Sequence, residues 1–206
     1  MLTGSLEGDY NPLSESQSYP AKPKGMSGEE RKRLKAEGLL FQEPKSLVAL
    51  AAGVGRDWPD ARGVFASEDR HFAAWVNDEE HVTLVSSRKD GDLKAAFASI
   101  CAAEKSLGLA LQQDGYSFAR CDRLGYITGM PERLGTGLSI SVTLRLPLMA
   151  AGASLLQLVA EHGLKVVGFG RGGIVEVASK ATLGVSEADL VSQTAAACTR
   201  LLEAEG

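Results

Sequence analysis

The chain has 206 residues and 21.7 kDa, of which 44% are hydrophobic and 23% charged. That suffices for one domain with a real core, or one domain with a tail. A formal net charge of -4 and a pI near 5.5 argue against nucleic acid or an anionic membrane as the main partner, because both demand clustered cations. Cys101, Cys121 and Cys198 stand at wide spacing and fit free thiols in a reducing compartment rather than a disulfide framework. With His71, His81 and His162 and no Cys-x-x-Cys, no zinc pattern is present.

The longest apolar stretch, Leu146 to Ala160, is short of the roughly 20 residues a membrane span needs and is broken by Pro147, Ser154 and Gln157. No membrane insertion is expected. Glu7 and Asp9 precede any arginine, which is wrong for an uncleaved transit segment, while import with a removed presequence stays open.

In chain order, residues 1–38 are rich in Ser, Gly, Pro and charge and read as a polar tail or linker, unable to offset its ordering entropy alone. Within it "SGEERKRLKAEG" predicts a short helix with Ser27 as N-cap, Glu30 closing a capping box and Gly38 ending it. From Leu39 the domain proper, 39–206, begins. "SLVALAAGVG" reads as a buried helix; "GVFAS", "HFAAWVN" and "HVTLVSS" read as strands joined by polar turns. Leu93, Phe97, Ile100, Cys101 and Leu107 recur at helical spacing and predict a long helix. "LGYITGM" and "LSISVTLRLPL" follow as strands, "ASLLQLVAEHG" as a helix capped at Gly163, "LKVVGFG" and "GGIVEVAS" as a glycine-linked strand pair. A last helix starts at Ser186. Short links between strands favour antiparallel pairing, and the fold class is α+β, an antiparallel sheet flanked by helices.

Two polar features carry potential chemistry. "WVNDEEH", Trp75 to His81, places three acids between two hydrophobic strands: either a solvated hairpin turn, or a site where one carboxylate is a positioned base or guanidinium anchor. "GFGRGG" lacks the following helix and the Lys-Ser/Thr ending of a phosphate loop and reads as a tight turn.

Six blocks occur in order: "GRDWPDARGVF", "WVNDEEHV", "GDLKAAF", "RLGYIT", "LGTGLSISV" and "LGVSEAD". Together they resemble the C-terminal domain of the phosphagen (guanidino) kinases, the creatine and arginine kinase family. "LEGDYNPL" and "GMSGEE" resemble the entry to that domain, split by the insertion "SESQSYPAK". The resemblance implies a glutamine synthetase-like, eight-stranded antiparallel sheet with flanking helices, and phosphoryl transfer between ATP and a guanidino compound.

Carried over residue by residue, the resemblance implies that Glu79 is the family carboxylate that orients and deprotonates the guanidinium. Asp78 and His81 then keep their family neighbours' character. The ATP-phosphate ligands do not carry over. Thr83 and Ser139 stand where the family has phosphate-binding arginines, and Thr143 where it has a histidine beside the adenine. Met130 stands in place of its reactive cysteine, and Arg133 in place of the nearby asparagine. The flexible loop with a third arginine is cut out between the last two strands, and Arg171 is a poor substitute. No counterpart of the family's N-terminal domain is read in these residues.

The expectation is therefore a catalytically inactive relative, with Glu79 and Asp78 vestigial, no cofactor and no metal. It would serve as a structural or accessory subunit that meets other protein subunits through residues 1–38 and an uncovered, apolar cleft face. The alternative is a residual phosphotransferase or nucleotide sensor for Mg-ATP, completed by another chain; a guanidino-metabolite binder around Glu79 and Asp78 is a third. A reducing intracellular compartment is expected, cytoplasm, cilium or mitochondrion. In "DWPDARG", Trp58 is expected in the core and Arg62 in an ion pair with Asp57 or Asp60.

Overall fold

The computed structural model describes residues 7–14, 25–152, 154–180 and 182–206. All but the first residue of the insertion read at 14–22 lies outside them. The chain divides into two compact units, Met1–Ser117 and Phe118–Gly206.

In the first unit, strands β1 (Gly8–Pro12), β2 (Gly63–Ser67), β3 (Phe72–Val76) and β4 (Val82–Ser86) form an antiparallel sheet in that order. Residues alternate between its two faces. Val64, Ala66, Ala73, Trp75 and Val85 pack with Leu13, Met26, Leu34, Leu39 and Phe41 on one side. Phe65, Phe72, Ala74 and Leu84 pack with Ile100 and Ala103 of helix α3 (Leu93–Gln113) on the other. The stripe read for α3 holds except at Cys101, which is exposed while Ala103 takes the inward position.

Within the polar N-terminal segment, the described residues 7–14 and 25–38 pack on this unit. Helix α1 (Gly28–Ala36) has the predicted cap, Ser27 Oγ accepting from the Glu30 amide at 3.1 Å. Its Leu34 and the following Leu39 are fully buried. The Trp75 indole donates to the Leu39 carbonyl at 2.8 Å, and Arg70 reaches Glu30 at 3.1 Å, tying α1 to the β2–β3 turn. The described part of the segment packs through a few large apolar residues, Leu13, Met26 and Leu34, which fill the core beside the sheet.

Helix α2 (Leu47–Ala51) corrects an expectation. It is not buried: Leu47 is 84%, Val48 60% and Leu50 50% exposed, and only Ala49 faces inward. Five residues make little more than one turn, which offers the core a single inward position. Arg62 also differs from its expected ion pair. Its guanidinium donates to the backbone carbonyls of Val54, Asp57 and Asp60 and lies 5.4 Å from the Trp58 ring centroid, while the Asp57 carboxylate pairs with Arg56 at 2.8 Å. Carbonyls win because the loop from Val54 to Asp60 curls around the arginine with its oxygens inward. Trp58 packs edge-on against Phe41, centroids 5.8 Å apart.

Between β2 and β3, Asp69 accepts from the Ser67 hydroxyl at 2.6 Å and the His71 amide at 3.1 Å. These bonds, the hydroxyl first, hold its carboxyl below the usual 3.8. A depressed folded pKa contributes stability above the unfolded value that is lost as pH falls through the folded one. In chemical denaturation, wild type is therefore expected to exceed Asp69→Asn in stability at pH 7, and the gap to close on acidification below about pH 4.

In the second unit, β7 (Ser141–Arg145), β9 (Ile174–Ser179) and β8 (Leu164–Phe169) form a three-stranded antiparallel sheet in that spatial order. Leu144, Val175, Val177 and Leu164 meet helices α4 (Leu155–Glu161) and α5 (Glu187–Glu205) through Leu155, Val159, Ala197, Cys198 and Leu201. Burial pushes the Cys198 thiol up. Gly173, at φ +78°, lets the β8–β9 link pass over Pro147; a Cβ there would come 2.3 Å from the Pro147 Cα. The strand read at "LGYITGM" shrinks to β6 (Gly125–Tyr126), paired with β5 (Arg120–Cys121), because Tyr126 turns to bond Gly135 at 2.8 Å. The described ladders form antiparallel sheets of four, two and three strands.

Candidate functional site

The β3–β4 hairpin presents the acidic turn. Asn77, in the left-handed region at φ +55°, bonds its amide to the His81 carbonyl at 3.0 Å and its side chain to the Ala61 carbonyl at 2.8 Å, pinning the turn to the loop before β2. Asp78 is buried. One carboxylate oxygen accepts from the Thr83 hydroxyl at 2.8 Å and from the Glu80 amide at 3.2 Å. Glu79 is half-buried at the apex and His81 exposed. Asp78 and Thr83 are therefore brought together. The neutral hydroxyl at the position where the resemblance expects a cation serves as the internal partner of the buried carboxylate.

The remaining expected site residues lie in the second unit. Ser139 and Thr143 are exposed, Thr143 opposite Glu176 across the β7–β9 ladder. Met130 is half-buried, and its carbonyl accepts from the Thr128 hydroxyl at 2.8 Å and from the Arg133 amide at 2.9 Å, starting the short 3-10 turn Pro131–Arg133. Arg171 is exposed in the four-residue link 170–173. Ser139 and Thr143 thus present exposed hydroxyls at the positions where the resemblance has an arginine and a histidine.

Sequence reasoning missed a pocket of about 280 Å³ in the second unit, with Arg120, Arg123, Thr136 and Glu187 in its wall. The one signal was two arginines three apart before Gly125. Among the described residues, no group of three or more His, Cys, Asp or Glu is placed to hold a metal, and no helix is long and apolar enough to cross a membrane.

These two units and their acidic hairpin fit one family. The profile described as ATP:guanido phosphotransferase, C-terminal catalytic domain, matches residues 3–206, and the chain belongs to that family. It is 34% identical over 188 residues to the M-type creatine kinase of Gallus gallus, covering 91% of this chain and 46% of that protein. It is 33% identical over 210 residues to the taurocyamine kinase of Schistosoma mansoni, covering 99% and 26%. With the flagellar creatine kinase of Strongylocentrotus purpuratus it shares 31% over 190 residues, 92% and 15%. The chain thus spans less than half the length of these relatives. A lombricine kinase crystal structure superposes with a TM-score of 0.88 at 28% identity, covering 99% of this chain and 56% of that one. The duplicated Schistosoma mansoni taurocyamine kinase with bound transition state analog components gives 0.81 at 33% identity, covering 98% and 26%.

Proposed function

We propose that this domain keeps the phosphagen kinase fold without its phosphoryl transfer, and acts as an accessory subunit of a protein assembly. The observation that carries the reading is the Thr83–Asp78 hydrogen bond at 2.8 Å. Phosphoryl transfer is almost entirely positioning and charge neutralisation around the transferring group. Hydrogen bonds to charged groups contribute roughly 1.5–3 kcal/mol each, so three lost phosphate ligands remove about 4.5–9 kcal/mol. Thr83 and Ser139 supply neither the charge nor the paired N–H groups of an arginine. With Thr83 committed to Asp78, the position has acquired a different job, and Glu79 lacks a held phosphate to work against.

The assembly role is supported by the outward Leu47, Val48 and Leu50 of α2, three exposed apolar side chains in one short helix. On α1, contact with a partner would fall to its solvent side, since its inward side belongs to the core. Mg-ATP titrated calorimetrically into the native protein is expected to give no saturation below about millimolar. Saturable binding tighter than that favours the second reading, a nucleotide sensor or residual phosphotransferase completed by cations of another chain, for which the retained Glu79 speaks.

A further inference from the structure

The pocket of the second unit has no part in the acidic hairpin, and none of Ser139, Thr143 or Arg171 lines it. Its walls come from the β5–β6 hairpin, the turn at Gly135–Thr136 and the loop entering α5. We propose that it binds a compact dianionic metabolite, of the phosphomonoester or dicarboxylate class.

Charge is the first argument. Two arginines, Arg120 and Arg123, line this one small pocket together with a single acidic residue, Glu187. Among the described residues neither arginine is in an ion pair. Arg120 lies over the Tyr126 ring, 5.2 Å from its centroid, and Arg123 is exposed. A guanidinium resting on an aromatic face keeps the edge that carries its N–H groups available for a planar or tetrahedral anion. Two such groups around one cavity match two negative charges, each able to donate paired N–H groups. Glu187 offsets only one of the two positive charges.

Rigidity is the second argument. Gly125 at φ +68° and Gly135 at φ +103° pack so closely that a Cβ on Gly125 would lie 2.4 Å from the Gly135 oxygen. A Cβ on Gly135 would lie 2.3 Å from the Thr182 oxygen. The Gly135–Tyr126 and Thr136–Thr182 backbone bonds, 2.8 and 2.9 Å, close the same wall. A preformed wall costs a ligand little ordering. Size is the third: about 280 Å³ lies just below the range of drug-sized ligand sites, which starts at about 300 Å³, and so suits only a smaller molecule. Leu124, Leu183 and Val185 add an apolar margin that fits a short carbon skeleton.

The test is an amide chemical-shift titration of the full chain at constant ionic strength, with inorganic phosphate in one arm and malonate in the other. Saturable shifts confined to residues 120–125, 135–136 and 183–187 are expected in at least one arm. Phosphate alone points to a phosphomonoester, malonate alone to a dicarboxylate, and both to a site that reads charge and size. Arg123→Ala, which leaves the Arg120–Tyr126 contact intact, is expected to weaken binding about 10- to 100-fold. Glu187→Gln is expected to tighten it, and Arg171→Ala to leave it unchanged. Absence of saturation in both arms, or saturation indifferent to Arg123→Ala, overturns the proposal. Neither result bears on Mg-ATP or on Glu79.

Discussion

Phosphoryl transfer from Mg-ATP to creatine, taurocyamine, lombricine or arginine by the native protein is expected to run about 10³- to 10⁶-fold below that of the Gallus gallus M-type creatine kinase on its own substrate. Glu79→Gln is expected to leave whatever rate remains unchanged. The range follows from three absent charged ligands and assigns Glu79 nothing, because a general base acts only on a nucleophile aligned with a positioned phosphate. The hairpin geometry supports this expectation. Reinstating an arginine at Thr83 would strip the buried Asp78 of its hydroxyl donor, 2.8 Å away, and place a long cation on the face of the sheet that holds Trp75. A coupled assay of product formation measures both quantities. A rate within tenfold of the creatine kinase, or a clear drop in Glu79→Gln, ends the non-catalytic reading.

Leu34→Ala is expected to destabilise the protein by about 2–5 kcal/mol, the range for emptying a fully buried leucine site. Leu34 has no exposed surface and sits in one cluster with Leu13, Met26, Leu39, Phe41 and Val64. Lys32→Ala, on the exposed side of the same helix, is expected to change stability by no more than about 0.5 kcal/mol. Urea denaturation of the full chain compares the two. A Leu34→Ala cost under about 1 kcal/mol would mean that α1 is an appendage of the sheet instead of one wall of its core.

That wall shows how far the amino-acid order reaches. The Ser27–Glu30 cap, the Ser186 cap with its bond to the Asp189 amide at 3.1 Å, and the left-handed Gly163 at φ +73° were legible because each depends on groups within a few residues of one another. So were the strand pairs β2–β3–β4 and β8–β9, whose alternation and short links leave antiparallel pairing as the simple solution. The acidic hairpin was legible too, since its turn is set by a few adjacent residues between two short apolar strands.

Partners across long separations were not. Leu34 reads as an isolated leucine in a polar run until Val64 and Ala73 stand beside it. The α2 sequence looks like a buried helix, and only the folded chain decides that Leu47, Val48 and Leu50 point away from any core. Arg62 sits among acids in the sequence yet is held by carbonyls, because a loop's curvature selects its acceptors. Arg120, Arg123 and Glu187 become one pocket only when the entry to α5 folds beside the β5–β6 hairpin. Caps, turns and periodicity are thus properties of the sequence, governed by hydrogen bonds and steric limits a few residues long. Burial, charge pairing and cavities belong to the tertiary structure, since they depend on which distant surfaces exclude water from each other.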